Sequence, residues 1–138
     1  FGGSSVADAA GLRCAAGQLA EAAAAGFHII AVVSAQGKTT DRLLQSTAEL
    51  TAHPACREAD QLLATGEQAS AALMAMTLQE MGLSAVSLTG WQAGIHTDGN
   101  HAAAEITALP GAETPCTVVG LEERQHHSLA ADTTFLYR

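Results

Sequence analysis

The run His28-Ile29-Ile30-Ala31-Val32-Val33-Ser34 limits what this chain can fold into more than any other stretch. It is far shorter than the ~20 apolar residues of a membrane span. Its β-branched residues fit a pleated strand, and because they are continuous rather than alternating, the expected strand is covered on both faces, as in a parallel sheet. Gly26 precedes it and Gly37 follows it, and both are chain breakers. On either side lie Ala-rich segments with helical spacing. Upstream, Val6, Ala9, Leu12, Ala16, Leu19 and Ala23 predict a helix over 7–25, capped by Ser4 or Ser5 and ended by Gly26. Downstream, Thr40 or Asp41 is expected to cap a helix that reaches about Ala52 before Pro54 stops it.

A longer helix, or a bent pair, is expected over 57–81, with Leu62, Ala69, Leu73 and Met76 as its apolar stripe. Gly66 sits inside it at a cost of ~1 kcal/mol relative to Ala, so a packing or functional reason is expected there. Gly82 closes the helix and "SAVSLTG", residues 84–90, reads as the next strand. Strand and helix thus alternate through residue 90, which argues for a doubly wound α/β sandwich. Beyond Pro110 the pattern weakens: "CTVVG" and "TTFLYR" are candidate strands, and "LEERQHHS" between them has no clear period.

At 138 residues the chain suffices for one α/β domain. With 14 acidic against 6 basic side chains its net charge is −8, a field that repels nucleic acid and anionic lipid, so neither is expected as a partner. Cys14, Cys56 and Cys116 are odd in number and form no CxxC pair; they read as buried or free thiols of a reducing compartment, and the cytoplasm is the expected location. His28, His53, His96, His101 and the pair His126 and His127 lack a metal-ligand spacing backed by Cys or carboxylate, so no metal site is expected.

The strand end "VVSAQGKTTDRLL", residues 32–44, has the look of a phosphate loop. A Walker loop requires a Gly five positions before the Gly-Lys pair, and counting back from Gly37 reaches Val32, inside the strand. That cradle cannot form. A strand end carrying Gly, Lys and Thr before a helix can still hold an anion on backbone N–H groups, and a carboxylate or a phosphate would both suit it.

Four segments occur in order: "FGGSSVADA" (1–9), "VVSAQGKTTDRLL" (32–44), "READQLLATGEQASAALMAM" (57–76) and "SLTGWQAGIHTD" (87–98). Together they resemble the aspartate kinases of the amino acid kinase family, over roughly residues 1–101. The resemblance implies a three-layer αβα sandwich with a mainly parallel sheet, and phosphoryl transfer from ATP, with Mg2+ carried on the nucleotide, to the side-chain carboxylate of L-aspartate. It implies that Gly2, Gly3, Ser4, Ser5 and Ser34 lie against ATP. It places Lys38, Thr39, Thr40 and Asp41 around the aspartate, and Glu67 on the substrate's ammonium, where a carboxylate is the natural partner. Gly66 would then be a close-approach glycine. Trp91 is expected to pack beneath the carboxyl edge of the sheet, and Thr97 and Asp98 to serve a loop.

The sequence departs from the family pattern in three places. The family's catalytic lysine would precede Phe1. Glu105 stands in "AAAEIT" where the family has arginine. A Gly-Arg-Gly-Gly-Ser-Asp segment that holds the carboxylate and a segment that seats the adenine have no counterpart here. The expectation is therefore an N-terminal portion of the kinase domain over 1–109 and a divergent tail over 110–138. The alternative is a truncated, non-catalytic chain with weak small-anion or partner binding. An incomplete sheet should leave apolar faces uncovered, which predicts homo-oligomers.

Overall fold

The computed structural model describes residues 1–108 together with the backbone of two later strands, 117–121 and 135–137. The proposed boundary at 109–110, Cys116, His126 and His127 lie outside the described residues. The elements run α1 (Ala9–Ala24), β1 (His28–Val33), α2 (Thr39–Leu50), α3 (Cys56–Glu80), β2 (Ala85–Ser87), β3 (His96–Thr97), β4 (Ile106–Ala108), β5 (Thr117–Leu121) and β6 (Phe135–Tyr137). The two candidate strands of the tail are thus β5 and β6. The main sheet has the order β2-β5-β1-β6. β1, β5 and β2 are parallel, and β6 closes the edge antiparallel to β1. β3 and β4 form a separate antiparallel ribbon.

The core lies between this sheet and α1 with α3. Leu12, Ala15, Ala16 and Leu19 of α1, Ile29, Ala31 and Val33 of β1, and Ala71, Met74, Ala75 and Leu78 of α3 form one buried cluster. Here the expected coverage of both strand faces is corrected: β1 buries alternate residues, and Ile30 keeps 44% of its surface exposed and Val86 of β2 39%. Both packed helices lie on one side of the sheet, so among the described residues its other face has no helix over it. Strand pairing aligns Val86, Val118, Ile30 and Phe135 in one row across the sheet.

The buried side of α3 also differs from the expected stripe. Gly66, Ser70, Met74 and Leu78, at spacings of four, face inward with Ala71 and Ala75, whereas Ala69, Leu73 and Met76 are exposed. Small residues permit the helix to approach closely, and Ser70 satisfies its hydroxyl by donating to Gly66 O at 3.1 Å. The caps shift as well. Asp8, not Ser4 or Ser5, caps α1 by accepting from Ala10 N at 3.0 Å and Gly11 N at 2.8 Å. α2 starts at Thr39, with Lys38 at the cap position, rather than after Thr40 or Asp41. Strand β2 is three residues long, not seven, because Thr89 and Gln92 fold the following segment into a turn. Trp91 is 76% exposed in that turn and does not pack under the sheet. Cys14 and Cys56 are free thiols at the surface, so neither is a core residue.

Candidate functional site

β1 ends at Val33, and the chain leaves it through Ser34, Ala35, Gln36 and Gly37 before α2 begins. The N-terminal glycine turn is locked onto this exit by backbone bonds. Ser34 N donates to Phe1 O at 3.0 Å, Gly37 N to Gly3 O at 2.9 Å, and the Phe1 amino group to Val32 O at 2.6 Å. Gln36 Nε2 adds a bond to Val6 O at 2.7 Å. The fit at Gly3 leaves no room for a side chain: a Cβ there would stand 2.5 Å from Ala35 O. Gly37 has φ +53°, which glycine tolerates at little cost. Gly2 is different, since a Cβ on it would meet no heavy atom within 4 Å. The turn is therefore closed towards the protein at Gly3 and open outward at Gly2, with Ser4 and Ser5 exposed.

α3 reaches the same place through Gly66. A Cβ at that position would lie 2.9 Å from Ala35 Cβ and 3.3 Å from Thr39 Cγ2. This is the reason for a glycine in mid-helix that the sequence called for. Thr40 and Glu67, each one residue beyond this contact in the sequence, are both half-buried. So the structure brings together the glycine turn through Gly3, the β1 exit containing Ser34 and Ala35, and the contact of Gly66 with Thr39.

Beside this contact opens a cavity of about 760 Å³, lined by Ala7, Gln36, Gly37, Lys38, Thr39, Asp41, Arg42 and Gln45. Lys38, Thr39 and Asp41 were expected there. Thr40, Glu67, Ser34 and residues 2–5 are not part of its lining. Arg42 and Gln45 are additions; their signal was their position four and seven residues after Lys38, which puts them on its side of the helix. No side chain caps α2, and Thr39 N already donates to Gln36 O at 3.0 Å, so it is the first-turn N–H groups beyond Thr39 that can face an anion, reinforced by Lys38 and Arg42. Asp41 works against a bare anion and in favour of one that brings a cationic group or a metal ion with it. Among the described residues no group of three or more His, Cys, Asp or Glu is placed to hold a metal by itself. No helix of the described residues is long and apolar enough to cross a membrane.

The amino acid kinase family profile matches residues 1–115. The chain is 49% identical over 106 residues to an aspartokinase of Geobacillus stearothermophilus, a stretch that is 77% of this chain and 26% of that protein. It is 46% identical over 109 residues to aspartokinase 2 of Bacillus subtilis, covering 79% of this chain and 27% of the relative. A crystal structure of aspartate kinase from Synechocystis superposes with a TM-score of 0.66 at 41% identity, over 67% of this chain and 16% of that one. The chain thus spans about a quarter of the length of the curated relatives it matches.

Proposed function

The chain belongs to the amino acid kinase family, and from that premise we propose that it supplies the amino-acid and phosphate-handling edge of an aspartate kinase, which phosphorylates the side-chain carboxylate of L-aspartate with ATP. The observation that carries this reading is the three-way contact of the glycine turn, the β1 exit and Gly66 of α3. It gathers residues from three separate segments of the sequence at one carboxyl edge of the sheet, where open parallel sheets bind their ligands.

The chemistry requires two anions to be held side by side, and phosphoryl transfer depends mostly on positioning and charge stabilisation. The open side of the turn at Gly2, with the Ser4 and Ser5 hydroxyls and Ser34 at the strand end, fits a phosphate chain that no Cβ obstructs. In this reading the uncapped N-terminus of α2, Lys38 and Arg42 offset negative charge, and Thr39 and Thr40 orient the aspartate. Glu67 partners the ammonium, which distinguishes an amino acid from a simple dicarboxylate. Mg2+ would enter on the nucleotide, with Asp41 near its path. The setting consistent with these substrates is the cytoplasm. The partly uncovered sheet face around Ile30 and Val86 suits self-association, and Ile30→Lys is expected to lower the oligomer fraction in sedimentation. A wild-type chain that sediments only as a monomer excludes this arrangement.

The functional reading is tested by titrating the chain with L-aspartate and following backbone amide NMR shifts. Residues 34–41 and 66–67 are expected to move, and Glu67→Gln to abolish the response to L-aspartate. Succinate, which lacks the ammonium, should bind Glu67→Gln as well as it binds the wild-type chain. Phosphoryl transfer is tested by trapping aspartyl phosphate as its hydroxamate. Binding without transfer would favour a non-catalytic, ligand-holding chain, and shifts confined to other residues would refute the site.

A further inference from the structure

The β3–β4 ribbon stands apart from the rest of the molecule. Among the described elements β3 and β4 pack only on each other, and a lone two-stranded ribbon is marginally stable in water. Its loop nevertheless has a defined attachment. Asp60 of α3 accepts Ala102 N through Oδ2 at 2.9 Å, and the same oxygen lies 3.3 Å from His101 Nδ1. Ala102 holds φ +66°, a left-handed conformation that an L side chain rarely adopts and that persists only when surrounding contacts impose it. Asp60 and Glu67 are seven residues apart on α3, two helical turns, and so share one side of it.

We propose that Asp60 is a positioning residue, whose carboxylate latches the β3–β4 ribbon to the same side of α3 that carries Glu67 and so holds the ribbon beside the amino-acid site. The latch itself stands on Asp60, His101 and Ala102 alone; its link to substrate rests on the functional reading of Glu67 above. One carboxylate oxygen accepts the Ala102 N–H and lies within 3.3 Å of an imidazole nitrogen, and hydrogen bonds to an ionised acceptor are among the stronger ones. Within the ribbon, Asp98 Oδ1 accepts from Asn100 N at 3.2 Å and Glu105 N at 3.1 Å, so the loop is preformed and Asp60 fixes where it sits rather than what shape it has.

The test uses the whole 138-residue chain. Asp60→Ala puts a better helix former into α3, so the fold is expected to survive. In amide exchange, Ala102 and the ladder amides around His96 and Ala108 should lose protection on the order of tenfold, as a charge-assisted bond is removed. Amides of α1 and β1 should not change. His101→Ala, which leaves Asp60 in place, should give a smaller loss in the same amides. Unchanged ribbon exchange in Asp60→Ala overturns the latch. The positioning role is read from L-aspartate affinity, expected to fall on the order of tenfold in Asp60→Ala, with phosphate affinity unaltered. A loosened ribbon with unaltered aspartate affinity overturns the positioning role while the proposed function stands. Failure of the wild-type chain to bind aspartate at all overturns the functional reading and the positioning role together.

Discussion

The strand-end platform and the β3–β4 ribbon lie along the same helix, α3, yet they are built on opposite terms. The platform is backbone against backbone. Gly3 meets the Ala35 carbonyl and Gly66 meets Ala35 and Thr39 with no spare volume, and the N-terminal turn is bonded into the exit of β1. The two strands of the ribbon pack on no other described element, and its loop is tied to α3 through the Asp60 side chain. A backbone contact cannot adjust without moving an element, whereas a carboxylate tether can release and re-form. The difference teaches that a site can keep its charge-handling edge rigid before any ligand arrives while leaving an adjacent flap adjustable.

The platform and the core cluster are where substitution should hurt most. Met74 of α3 is fully buried in the core cluster between that helix and the sheet, and Met74→Ala should cost about 2–5 kcal/mol by leaving a cavity there. Urea denaturation checks this, and a loss below about 1 kcal/mol would mean that α3 does not brace the sheet as described. Gly3→Ala comes next. Its Cβ would be driven to 2.5 Å from a backbone oxygen that cannot rotate away. The expected cost is about 1–3 kcal/mol, accompanied by weaker anion binding in a phosphate titration. Asp8→Ala removes a cap that accepts two N–H groups of α1 and should cost about 1 kcal/mol. Thermal unfolding would register it, and an Asp8→Asn variant should restore most of the loss. Smallest is Asp98→Ala in the ribbon, which should change global stability by less than about 0.5 kcal/mol while its local amides exchange faster. A large global loss from Asp98→Ala would erase the contrast between the two regions.

Much of the platform was legible in the sequence, because glycines in unfavourable places announce close approach. Gly66 costs helix stability, and only a neighbour that needs the space explains it; Ala35 and Thr39 are that neighbour. The three αβ elements from α1 to α2 were also readable from Gly26, Gly37 and Pro54 as breakers. What misled was hydrophobicity used alone. A continuous run such as residues 29–33 says that both strand faces are apolar, not that both are covered, and Ile30 shows the difference. On α3, Leu73 and Met76 drew the expected stripe outward, while the buried side is made of Gly, Ser and Ala with Met74 and Leu78, residues chosen for small size as much as for apolarity. Asp8 caps α1 rather than Ser4 or Ser5 because the helix begins at Ala9, directly after Asp8, while the Ser4-Ser5 turn lies farther upstream. Arg42 and Gln45 escaped notice since nothing in their own neighbourhood marks them; they matter only once α2 has turned them towards Lys38. Trp91 illustrates the reverse, a residue conspicuous by type and yet left in solvent by a turn that Thr89 and Gln92 hold together.

The strand order has a further consequence, for the time course of synthesis. β5 sits between β1 and β2, so two strands made early are separated by one made late. Until Val118 emerges, Ile30 and Val86 have no partner to bridge them, and the ribosome delivers the keystone after the arch stones on either side. A nascent chain halted before β5 would hold helices and loose strand edges together without a closed hydrogen-bond ladder, a state that invites capture by chaperones or by other copies of itself.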